Sequence, residues 1–92
     1  MCGIAGIMTL RAELSSNMVC DKITHSIQHR GPDKSGLWKS SDGFVTFLHT
    51  RLSILDLSSA GDQPMISKSG RYVITFNGEI YNHLELRKKI KN

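Results

Sequence analysis

Cysteine and proline are scarce in this chain, and long apolar runs are missing. Its 92 residues hold two cysteines, Cys2 and Cys20, and two prolines, Pro32 and Pro64. Two cysteines are too few for the disulfide framework of a small secreted protein, and neither a CxxC pair nor a zinc-type Cys/His spacing occurs. A reducing, cytoplasmic setting is the simpler expectation. No stretch approaches the roughly 18 apolar residues of a membrane span. The apolar opening MCGIAGIMTL lacks a basic leader and meets Arg11 and Glu13 before a signal-peptide core is complete. Repeats, low-complexity tracts and linkers are also missing, so the chain reads as one unit.

Acidic residues are outnumbered, 8 against 12 Lys and Arg. The excess is local, because Arg87, Lys88, Lys89 and Lys91 supply four of the twelve, and without them the signs balance. Charge gathered there reads as the solvated face of a helix, so neither a nucleic-acid nor a membrane partner is expected. At 39% hydrophobic the chain supports a modest core, and a domain this small without disulfide or metal is marginally stable.

The patterning that is present mixes α and β. Gly3 to Met8 reads as a short strand buried on both faces. Ser15 or Ser16 caps a helix running to about His29, with Val19, Ile23 and Ile27 on one face. HRGPDKSG, from His29 to Gly36, reads as a loop. Leu37 to Lys39, Phe44 to His49 and Leu52 to Leu55 read as strands, the first two joined by a Ser41-Asp42-Gly43 turn. After a loop from Ser58 to Pro64 comes a strand from Arg71 to Phe76, ending at Asn77-Gly78. Asn82 with Glu85 suggests a capping box for a last helix that turns Leu86 and Ile90 inward and pairs Glu85 with Lys89. Strands with helices at the start and end of the segment suggest sheets covered by helices. The last helix reaches Asn92 without a stop signal, and the expectation is that this is the N-terminal part of a longer domain.

Cys2 is the most pointed chemical feature. Removal of Met1 would leave an α-amine and a thiol on one residue. Their ordinary pKa values, about 7.7–8.0 and about 8.5, let the amine take the thiol proton near neutral pH. A cysteine after an initiator methionine is more often a small hydrophobe starting a strand, so position alone decides little. Likewise Asn-Gly alone is more often a tight turn, and a strand arginine such as Arg51 is more often a surface residue. His25 and His29, four apart, could share a helix face, but no third ligand follows at a fitting spacing, so no metal site is expected. Cys20 and Trp38 read as packing residues.

Four blocks, in order, change the odds: CGIAGI from Cys2, RGPDKSG from Arg30, HTRLSILDLSSAGDQPM from His49 and FNGEIYNHLELR from Phe76. Together they resemble the glutamine-dependent asparagine synthetases, class II glutamine amidotransferases within the N-terminal-nucleophile hydrolases. Amidotransferases that make phosphoribosylamine or glucosamine phosphate share the Cys-Gly-Ile opening, but RGPD and NGEIYN look like the asparagine-synthetase branch.

The resemblance implies a role for each matching residue. Cys2 would attack the glutamine carboxamide, giving a γ-glutamyl thioester and ammonia, and water would then free glutamate. Asn77, by its side-chain amide, and Gly78, by its backbone N–H, would receive the oxyanion. Arg51 would hold the α-carboxylate, and Leu52, Ser53, Ile54, Leu55 and Glu79 would line the glutamine pocket. The loop from Arg30 to Asp33 would order the walls near Cys2. The implied fold is α+β, the four-layer αββα sandwich of N-terminal-nucleophile hydrolases. In this chain it would be incomplete, so exposed strand edges and apolar faces would favour aggregation. The implied partners are L-glutamine and a C-terminal synthetase domain, in an enzyme that could be a homodimer. No cofactor is expected in this chain, and ATP and magnesium belong to that further domain, whose SGGxDS-type loop does not occur here. The alternatives are an amidotransferase serving another ammonia acceptor and a non-catalytic glutamine-binding module.

Overall fold

The computed structural model describes residues 1–53 and 58–91. Three strands, β1 (Gly3–Met8), β2 (Lys34–Lys39) and β3 (Val45–Arg51), form an antiparallel sheet in the order β1-β3-β2. Gly3 lies opposite Thr50 on one side of β3, and Ser35 lies opposite Thr50 on the other. The central strand carries the core because it has a partner on each edge. Leu48 is 1% exposed, and Thr46 and Thr50 are fully buried. Burying a leucine this completely contributes about 1.5–3 kcal/mol.

Helix α1 (Asn17–Ile27) packs on one face of that sheet. Of the two serines able to start it, Ser16 does so, its side chain accepting from Val19 N at 3.4 Å. Ser15 is instead buried at the end of a 3-10 turn (Ala12–Ser15), where its carbonyl accepts from Lys39 Nζ at 2.8 Å. Val19, Ile23 and Ile27 are half-buried and Cys20 is buried, which is the face expected. The helix ends earlier than His29, continuing as a 3-10 turn over Gln28–Arg30. Thr50 Oγ1 donates to the Ile27 carbonyl at 3.0 Å, supplying a partner that the helix end lacks.

β2 and β3 are joined through the expected turn. Gly43 has φ +74, a region that favours glycine, and Asp42 Oδ1 accepts from both Ser40 Oγ and Phe44 N. β2 begins at Lys34, so the loop from His29 is shorter than its composition suggested. β1 is buried on one face only: Ala5 and Ile7 are half-buried while Ile4 and Met8 are exposed.

Two short strands, β4 (Met65–Ile66) and β5 (Val73–Ile74), form a separate antiparallel hairpin. β4 had no sequence signal, and β5 is shorter than the β-branched run around it. Helix α2 (His83–Ile90) follows Asn82, which makes no side-chain capping bond. Its Leu86 and Ile90 are exposed, Ile90 to 81%, against the inward orientation expected. Among the described residues no helix is long and apolar enough to cross a membrane. The architecture is thus α+β, with a helix on one face of a small sheet and a second, smaller sheet beyond it.

Candidate active site

The antiparallel register brings the chain's second residue to the exit of its central strand. With Gly3 opposite Thr50, Cys2 arrives beside the backbone that follows β3. Its Sγ accepts from Leu52 N at 3.3 Å and lies 3.9 Å from Leu52 O. The Cys2 carbonyl accepts from Arg30 Nε at 3.1 Å. The thiol is thus held from the β3 side and its backbone from the loop that follows α1. Gly3 makes the close approach possible, because a Cβ there would lie 2.5 Å from Thr50 Oγ1.

A cavity of about 440 Å³ opens at Cys2, lined by Met1, Cys2, Leu52, Asn77, Gly78, Glu79 and Tyr81. Its size falls within the range of small-molecule sites. Cys2 and the 77–79 segment are some 75 positions apart in sequence and meet only in the fold. Asn77-Gly78 is not a hairpin turn of the primed type, since Gly43 and Gly70 are the glycines of positive φ. Gly78 instead packs closely on its neighbour, with a Cβ position 3.0 Å from Phe76 Cζ.

The run expected to bind substrate from Arg51 onward is divided. Extended backbone sends successive side chains to opposite sides. Leu52 faces the Cys2 cavity, whereas Arg51 and Ser53 line a second one of about 340 Å³ with Asp33, Lys34, Ser59 and Asp62. Ile54 and Leu55 lie outside the described residues. The Arg51 guanidinium is already engaged: one nitrogen donates to Ser58 O at 2.6 Å and to Asp62 Oδ1 at 2.7 Å, and the side chain is only 8% exposed. Asp62 also pairs with Lys34. The Lys34 hydrogen bond, with Arg51 adding to it, holds the Asp62 carboxyl below the usual carboxylate range. Asp33 accepts from Ser53 N at 2.8 Å, so the loop from Arg30 to Asp33 touches both Cys2 and the strand exit.

Some residues at or near the site carried no sequence signal. Tyr81 lines the cavity and is 91% exposed. Asp62 sits in a Ser/Gly loop whose composition indicated only a turn. His49 lies on β3 two residues before Arg51 and is 1% exposed; burial lowers its pKa, the Phe76 backbone draws it back up and Arg51 lowers it further. Among the described residues no cluster of three His, Cys, Asp or Glu side chains suits a metal ion.

Cys2, held at a strand exit, thus shares one cavity with the Asn77-Gly78 pair. The chain belongs to the glutamine amidotransferase domain family, whose model matches residues 1–92. It is 41% identical over 93 residues to asparagine synthetase [glutamine-hydrolyzing] 1 of Arabidopsis thaliana. It is 42% identical to the asparagine synthetase [glutamine-hydrolyzing] of Brassica oleracea and 40% to the nodule enzyme of Pisum sativum. Each match covers the whole chain but 15% of the relative's length. No solved structure matches.

Proposed function

We propose that this chain carries the glutamine-hydrolysing site of an asparagine synthetase, and that its ammonia serves the ATP-dependent amidation of aspartate by a C-terminal synthetase domain. The observation that carries the reading is the single cavity shared by Cys2, Leu52, Asn77, Gly78 and Glu79. Removal of Met1, which is exposed at the cavity mouth, frees the Cys2 amine to accept the thiol proton. The sulfur adds to the glutamine carboxamide carbon, and the carbonyl electron pair moves to oxygen. The Asn77 amide and the Gly78 N–H receive that oxyanion, an interaction whose loss typically costs about 10²–10³ in rate. Collapse expels ammonia, which takes a proton, and leaves a thioester. Water cleaves the thioester to glutamate and restores the thiol.

Glu79 faces the substrate's α-ammonium in this reading. Arg51 serves the α-carboxylate, a task for which a planar, bidentate guanidinium is suited. To do so it must exchange Asp62 for the substrate. The small α-covered sheet and the hairpin beyond it form part of an αββα sandwich. ATP and magnesium act in the synthetase domain.

The test is glutamine hydrolysis by Cys2→Ala in the protein as its gene encodes it. Ammonia release should fall to background, while synthesis supplied with free ammonium continues. Undiminished hydrolysis would remove Cys2 from the mechanism.

A further inference from the structure

We propose that Gln63 is a positioning residue that sets the Phe76–Gly78 segment, and with it the two oxyanion donors; the inference rests on the glutaminase reading above. β5 ends at Ile74, so Asn77 and Gly78 reach the cavity on backbone that lies beyond the ladder. Donors that stabilise an oxyanion must be placed before the reaction, and a segment without ladder bonds needs another source of order.

A side chain provides it at Phe76. Gln63 Oε1 accepts from Phe76 N at 2.6 Å, reaching across 13 residues from the loop before β4.

The geometry explains why Phe76 is the point of control. Peptide groups are planar, so a bond to Phe76 N–H fixes the plane before its Cα, one residue ahead of Asn77. The Phe76 ring also bears on Gly78, where a Cβ would lie 3.0 Å from its Cζ and 3.3 Å from its Cε2. Both donors are therefore indexed to one tethered residue. Gln63 does not line the Cys2 cavity, so it acts through the backbone and not on the substrate.

The experiment measures glutamine hydrolysis and inhibition by glutamate γ-semialdehyde in the protein as its gene encodes it. The Cys2 sulfur adds to the aldehyde carbon and the carbonyl pair becomes an oxyanion, so affinity reports the donors without turnover. Iodoacetamide alkylation of Cys2 reports the thiol alone. Gln63→Leu should lower kcat about 10- to 100-fold with KM nearly unchanged, and weaken the aldehyde by a similar factor, leaving the alkylation rate as in the parent. Gln63→Glu keeps an acceptor for Phe76 N–H and should recover most of both losses. Parental kcat and aldehyde affinity in Gln63→Leu would overturn the proposal, as would a loss that Gln63→Glu shares in full. A parent protein that neither hydrolyses glutamine nor binds the aldehyde would instead overturn the glutaminase reading itself, and this inference with it.

Discussion

Gly3→Ala tests whether the packing beneath Cys2 is as tight as the structure indicates. A Cβ at this position would lie 2.5 Å from Thr50 Oγ1 and 3.0 Å from both Ile27 Cβ and Ile27 O. None of these is the loose end of a flexible side chain. Thr50 is fully buried and its hydroxyl donates to Ile27 O at 3.0 Å, while Ile27 closes α1. Relief requires β1 to move away from α1, which loosens the Gly3–Thr50 pair and draws the Cys2 sulfur off Leu52 N. Overpacking of this kind costs about 1–3 kcal/mol. Taking about 2 kcal/mol with an m-value of about 1–2 kcal/mol/M, the urea midpoint followed by far-UV circular dichroism should fall by about 1–2 M. Thr50→Ala alone should cost about 1 kcal/mol or more, since it leaves the Ile27 carbonyl without its donor. In the Gly3→Ala background the same change also removes the nearest obstruction, so the two effects should couple by about 0.5 kcal/mol or more. A Gly3→Ala midpoint within about 0.3 M of the parent on the same m-value basis, or strict additivity with Thr50→Ala, would refute the account.

Asp62→Asn removes the carboxylate that competes for Arg51, so the KM for glutamine should fall severalfold; an unchanged or higher KM in steady-state assays would show that Arg51 does not serve the substrate. His49 has a folded pKa below the ordinary 6.5 because burial disfavours its charged form. The unfolded chain therefore binds the proton first, and stability is full above about 6.5 and declines as pH falls toward the folded value. His49→Gln should flatten that part of the stability profile, and a slope that persists would assign it elsewhere. The Asp62 contribution has the same sign but a lower window, beginning to fade only as pH drops below the ordinary 3.8. Ser16→Ala deletes the N-cap of α1; because the bond is long at 3.4 Å, the expected loss is about 0.5–1 kcal/mol, read as a lowered urea midpoint.

The sequence by itself determined the local elements whose causes are local. A capping serine and an i, i+4, i+8 apolar face specify α1, and Asp42-Gly43 specifies its turn through a side-chain acceptor and a positive φ. Four ordered motifs also determined the family, which needs no geometry to be recognised. Elements that depend on distant partners were less legible. β4 has two residues and exists only because β5 pairs with it, and the exposed Leu86 and Ile90 of α2 show that apolar spacing alone does not place a helix against a core.

The tertiary structure alone decided which residues share a cavity. Antiparallel register carries Cys2 to Leu52, and strand alternation then sends Arg51 and Ser53 into the other cavity, although a sequence motif presents them as one block. Asp62 as the partner of Arg51, and Gln63 as the acceptor for the Phe76 N–H, follow from loops folding back over the sheet. The physical reason is the same throughout: propensity and capping act within a turn or two of chain, whereas a site is set by pairing and packing between segments that spacing cannot relate.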